Sequence, residues 1–176
     1  RFQKVYPGQP KTLDILFPGE RSEEFAGQFY RAYSRTRGLV CKGDGEMALR
    51  LINADTGEQS IAKADVKNVV RANVPCPGRE CPYYQAKECK ETMFLQVILP
   101  GVEGLGIWQI DTSSLNSIRN INSVVALLQD PRVSGRVSMV PLKLSIVPRE
   151  VAPGGLKQTV FVLRVDIPVS LSELKS

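Results

Sequence analysis

The chain has 176 residues, 43% hydrophobic and 23% charged, proportions of an ordinary soluble globular protein and a length that suits one domain. No stretch approaches the roughly 20 apolar residues of a membrane helix, and there is no internal repeat or low-complexity segment. The balance of 23 Lys and Arg against 18 Asp and Glu, net +5, permits contact with nucleic acid or an acidic partner without requiring it, and zero histidines exclude a His-dependent triad or a histidine general base.

Residues 1–11 carry Pro7, Gly8 and Pro10 and read as an extended lead-in. Residues 12–17 alternate as a strand that stops at Pro18 and Gly19. In 22–33, Phe25, Phe29 (or Tyr30) and Tyr33 recur at helical spacing behind Ser22 and two acidic residues, which predicts a helix with an aromatic face. Such a face beside Arg31, Arg35 and Arg37 can stack on bases; its commoner use is packing against a sheet. Residues 37–41 and Met47–Asn53 read as strands joined by Lys42-Gly43-Asp44-Gly45. That turn lacks the length and lysine placement of a P-loop. Residues 59–70 are ambiguous, and 71–75 lead into a cysteine-rich stretch.

The second half is strongly β. Residues 93–99 form a mostly apolar strand ended by Pro100-Gly101, and 104–110, with the single tryptophan Trp108, are its expected hairpin partner. Asp111-Thr112-Ser113-Ser114 offers several N-caps for a helix running to Gln129, whose expected buried stripe is Leu115, Ile118, Ile121, Val125 and Leu128. Without a Gly-x-Ser-x-Gly context or a base, capping explains that Thr/Ser cluster better than nucleophilic catalysis. Residues 136–148 and 157–168 are β-rich segments joined by a loop at 151–155, with Pro141 implying a bulge or an edge. The fold class expected is α+β: an antiparallel-rich sheet, two main helices around 25–33 and 114–129, and an inserted four-cysteine zinc knuckle.

That knuckle, at about 72–92, holds Cys76, Cys81 and Cys89 among Pro77, Gly78 and Pro82, residues that keep a backbone in tight turns. Cys41 lies upstream, just before Gly43-Asp44-Gly45, a turn suited to presenting it. With no histidine, a tetrahedral zinc must be all-thiolate, and Cys41, Cys76, Cys81 and Cys89 are enough for one closed, structural site. An iron–sulfur cluster also takes four thiolates, but Cys-x4-Cys-x7-Cys matches neither ferredoxin spacing. Disulfides, with three possible pairings, are the plainer alternative. The chain opens at Arg1 without a signal-peptide pattern, and the expected location is cytoplasmic. The expected organisation is a single domain over 1–176 with the knuckle completed by Cys41.

Four segments together carry a family resemblance: Leu39-Val-Cys-Lys-Gly-Asp-Gly45; the Cys-Pro…Cys-Pro-Tyr-Tyr…Cys-Lys stretch; Gly106-Ile-Trp-Gln-Ile-Asp-Thr-Ser-Ser-Leu-Asn-Ser-Ile118; and Gly135-Arg-Val-Ser-Met-Val-Pro-Leu-Lys-Leu144. From about Pro10 to Pro168 the chain resembles phage recombination directionality factors of large serine integrases, whose relatives are often known only as metal-binding proteins. The resemblance implies a non-catalytic accessory protein that docks on a serine integrase and turns it from integration to excision, meeting DNA mainly through that integrase. On this reading the knuckle surface docks, with Arg79, Tyr83, Tyr84 and Lys87 as the expected contacts; Tyr83 and Tyr84 packing over the zinc sulfurs is the alternative. A zinc-stabilised nucleic-acid-binding module, and less so a metal-dependent enzyme, are the competing functions.

Overall fold

The computed structural model describes residues 1–59, 67–104 and 106–174. Among those described residues there are nine strands: β1 Thr12–Ile15, β2 Gln28–Ser34, β3 Gly38–Gly43, β4 Met47–Asn53, β5 Val69–Pro75, β6 Cys89–Ile98, β7 Ile107–Thr112, β8 Leu142–Val151 and β9 Gln158–Asp166. The one long helix is α4, Leu115–Gln129; the others, α1 Phe2–Val5, α2 Ser22–Phe25, α3 Pro82–Gln85 and α5 Leu171–Leu174, are single turns. Every strand pair with an established register is antiparallel, so the expected α+β, antiparallel-rich class holds. The described chain divides into two compact units, one of Arg1–Gly27 with the residues from Met93 onward, the other Gln28–Thr92, and β6 contributes residues to both.

The first unit is built on a three-stranded sheet in the order β1-β8-β9. The β8–β9 hairpin is the one expected from 136–168, although its first strand starts only at Leu142, after Pro141. Pro148 sits inside β8 opposite Phe161, beyond the stretch 142–145 that β1 pairs. A residue without an N–H is tolerated there because no second strand asks for one. β6 and β7 form the expected hairpin, with Val97 opposite Trp108.

Helix α4 starts where the sequence places it: Ser114 is the N-cap, its side chain accepting the Ser117 N–H. Ile118, Ile121, Val125 and Leu128 are buried as expected, but Leu115 is 39% exposed. Ser117 is buried instead, because its hydroxyl accepts the Leu163 N–H at 2.9 Å while Asn120 Oδ1 accepts the Val165 N–H at 2.7 Å. Two polar side chains of the helix thus satisfy backbone donors of β9 that no strand reaches. Phe17 and Phe25, stacked with centroids 4.5 Å apart, join Ile15, Met93, Leu95, Leu142 and Val165 in the apolar core.

The second unit contains β5, β4, β3 and β2 in that order, with β6 beside β2. Here one expectation fails. The helix predicted around 25–33 is absent: α2 ends at Phe25, and Gln28–Ser34 is a strand. A Cβ on Gly27 would come within 2.3 Å of the Phe94 ring, and its carbonyl accepts the Phe94 N–H at 3.0 Å, so two residues after α2 ends the chain is already bonded to β6. Beyond it, the aromatic residues that fit a four-residue period also fit a strand, with Phe29, Arg31 and Tyr33 alternating against Tyr30 and the buried Ala32. The residues left unassigned after 59 contain β5, paired along its whole length with β4; 60–66 lie outside the described residues.

Candidate functional site: a thiol-lined cavity

The four cysteines arrive from different elements of the second unit. Cys41 lies inside β3, directly opposite Arg50 of β4. It is therefore held by a strand rather than by the following turn, which instead closes on Asp44, whose carboxylate accepts the Glu46 and Met47 N–H groups at 2.8 Å each. Those two backbone donors hold the Asp44 carboxyl below its usual range. Cys76 follows β5, its N–H donating to the Glu46 carbonyl at 2.8 Å. Cys81 is the N-cap residue of α3, where Pro82 takes the first helical position, and Cys89 opens β6.

All four side chains line one small cavity, with Tyr30, Arg50, Gly78 and Tyr83 among its other walls. Its volume is about 20 Å³, the space of a single water-sized sphere. The four are free thiols, three of them buried. Among the described residues, no three Cys, Asp or Glu side chains stand close enough, as placed, to hold a metal ion. The donor set and the size of the cavity nevertheless fit a single ion that takes thiolates. Such an ion would draw on Cys41, Cys76, Cys81 and Cys89 and would supply folding energy rather than chemistry, since four protein ligands leave no open position.

As placed, burial favours the protonated thiols. Burial pushes the Cys41 thiol up, against the opposing pull of Arg50. Burial, followed by repulsion from the other three sulfurs, pushes Cys89 up to about 11. Four thiolates cannot share so small a space unless a cation sits between them.

Two glycines make the cavity possible. A Cβ on Gly43 would lie 2.5 Å from Cys76 Sγ and 2.9 Å from Ala48 Cβ, so only glycine lets that sulfur reach β3. Gly78, at φ +57, takes the left-handed turn between Cys76 and Cys81, and Tyr30 packs over it, the hydroxyl 3.2 Å from where a Cβ would be.

The expected contact residues fare unequally. Arg79 is forked onto Glu91, at 2.5 and 3.2 Å. Tyr84 meets Tyr30 edge-on, with centroids 5.8 Å apart. Tyr83 is half-buried, its ring 3.6 Å from the Arg50 guanidinium carbon. Lys87 is exposed, in the left-handed conformation at φ +62. Packing therefore occupies Tyr83 and Tyr84, whereas Lys87 and the outer part of Arg79 face solvent. Sequence reasoning missed Arg50. Its signal was parity: in Met47–Asn53 it shares a face with the small Ala48, and that face is the buried one.

An α+β protein with antiparallel sheets and a thiol-lined cavity in its smaller unit is the class that these features define. The chain belongs to the Gp3-like family, described as recombination directionality factor-like, whose model matches residues 1–168. The family points to an accessory role in phage recombination. No curated protein and no solved structure matches the chain. Among the described residues, no helix is long and apolar enough to cross a membrane.

Proposed function

We propose that this protein is a non-catalytic accessory factor that binds a serine integrase in the cytoplasm and shifts it from integration to excision. The observation that carries the reading is the family match across 168 of the 176 residues. The integrase supplies the nucleophile and most of the DNA contact. With a net charge of +5, the isolated protein binds DNA weakly and loses that binding as salt rises, because phosphate contacts release counterions. Lys87 and Arg79 are the docking residues we retain from the knuckle; Tyr83 and Tyr84 are engaged instead with Arg50 and Tyr30.

We further propose one structural zinc per chain, held by Cys41, Cys76, Cys81 and Cys89. The narrow cavity favours one ion over an iron–sulfur cluster with the same ligands. Elemental analysis checks this directly: one zinc is expected, and a brown protein rich in iron and sulfide overturns it.

The functional test mixes purified integrase, paired attachment-site DNA and this protein. The wild type is expected to change which site pairs recombine, and unchanged preference refutes the reading for that integrase. Lys87→Glu should weaken the change while leaving zinc content intact. Tyr84→Ala should loosen the knuckle itself, seen as faster amide exchange in 76–91. At an interface, loss of a true anchor costs about 2 kcal/mol or more.

A further inference from the structure

Arg50 is 6% exposed, and no carboxylate pairs with it among the described residues. Its Nη2 donates to the Gln59 carbonyl at 3.1 Å, and its guanidinium carbon lies over the Tyr83 ring, 3.6 Å from the centroid. Among the described residues its Nε–H is buried with no hydrogen-bond partner. A permanently charged side chain buried without a counter-anion costs several kcal/mol, on the order expected for any uncompensated buried ion. The fold nonetheless places it in the wall of the cavity that the four cysteines line, directly across the β3–β4 ladder from Cys41.

Four thiolates around a divalent ion leave two negative charges, the anion that no other described residue offers Arg50. We propose that Arg50 is the counter-cation and N–H donor of the four-thiolate site, clamped over it by Tyr83; this inference rests on the zinc reading above. The ring of Tyr83 comes from the turn between Cys81 and Cys89, so the knuckle that supplies three of the four sulfurs also fixes the cation that neutralises them. Binding the ion and ordering β4 thereby become one event. Outer partners of this kind typically change metal affinity by about 10–100-fold.

The test uses the full chain. Zinc content of the wild type is measured first, and a protein without zinc overturns the site reading itself. With zinc present, release into a colorimetric chelator is timed for wild type, Arg50→Lys and Arg50→Met. Release is expected to be about 10–100-fold faster in Arg50→Met, with Arg50→Lys between, since lysine keeps the charge but not the planar fork. Equal rates in all three overturn the role of Arg50 and leave the zinc site standing. Should Arg50→Met fail to fold, the wild type loaded with cadmium-113 decides. A scalar coupling between the metal and a slowly exchanging Arg50 Nε–H is expected, which mere packing of Arg50 would not produce. A rapidly exchanging, uncoupled Nε–H overturns the proposal.

Discussion

The two units of this protein are built by different physics. In the first, the buried set includes Phe17, Phe25, Met93, Leu95, Ile121 and Leu128, large side chains interlocked around α4 and the β1-β8-β9 sheet. In the second, among the described residues, no buried apolar side chain is larger than valine, and three of the six are Cys41, Cys76 and Cys89. A unit of about 65 residues with so little apolar volume sits where a core alone rarely supplies more than about 3–5 kcal/mol. The comparison teaches that the first unit stores its stability in buried area, whereas the second is the one that the proposed metal cross-link among its sulfurs would hold.

The largest effect that can break this comparison is metal removal. Structural zinc carries an apparent binding energy on the order of 10–16 kcal/mol in small zinc-folded peptides. Chelation should therefore weaken amide protection in β2–β5 far more than in α4, β8 and β9, as read by hydrogen exchange. Equal loss in both units, or none, would show that the contrast in cores does not govern stability.

A smaller perturbation sharpens it from the other side. Phe17→Ala deletes a fully buried ring stacked on Phe25, and such truncations cost about 3–5 kcal/mol. Urea unfolding of the first unit should shift by that amount with the zinc content of the protein unchanged. A variant that loses its metal would mean that the two units do not hold their stability separately.

The smallest effect is a pH dependence confined to the metal-free protein. Cys89 is pushed up to about 11 in the folded state, against about 8.5 for an unfolded cysteine. A raised folded value means that the unfolded chain gives up its proton first, so the stabilising contribution is complete below about pH 8.5 and disappears as pH climbs through about 11. Stability of the metal-free second unit should therefore fall over that range, while the zinc-loaded form, with its thiolates already formed, should show little change there.

Much of the first unit was legible because its signals are redundant. The N-cap at Ser114, the stripe from Ile118 to Leu128 and the apolar run in β6 each point to one structure. Leu115 was misplaced because periodicity identifies a face but not its edge, and the edge is decided by Ser117 binding the β9 backbone. In the second unit the signals conflict. Phe25, Phe29 and Tyr33 satisfy a helical repeat, and only the close passage of Gly27 by Phe94 shows that the helix stops after one turn. The grouping of the cysteines was legible from spacing and turn residues. Which aromatic would pack and which basic residue would be enclosed was not, because both depend on strand pairing across a gap of dozens of residues, as with Cys41 and Arg50 against the knuckle.

The close approach at Gly43 leaves a mark on how this sequence can evolve. With Cys76 Sγ and Ala48 Cβ both inside the space that a side chain at 43 would need, positions 43, 48 and 76 cannot drift independently. A lineage that keeps the cysteine must keep the glycine and a small residue at 48. A lineage that discards the cysteine still meets the Ala48 Cβ 2.9 Å from where a Cβ at 43 would stand, so a side chain at 43 should appear only on branches of the family's tree where 48 and 76 have changed as well.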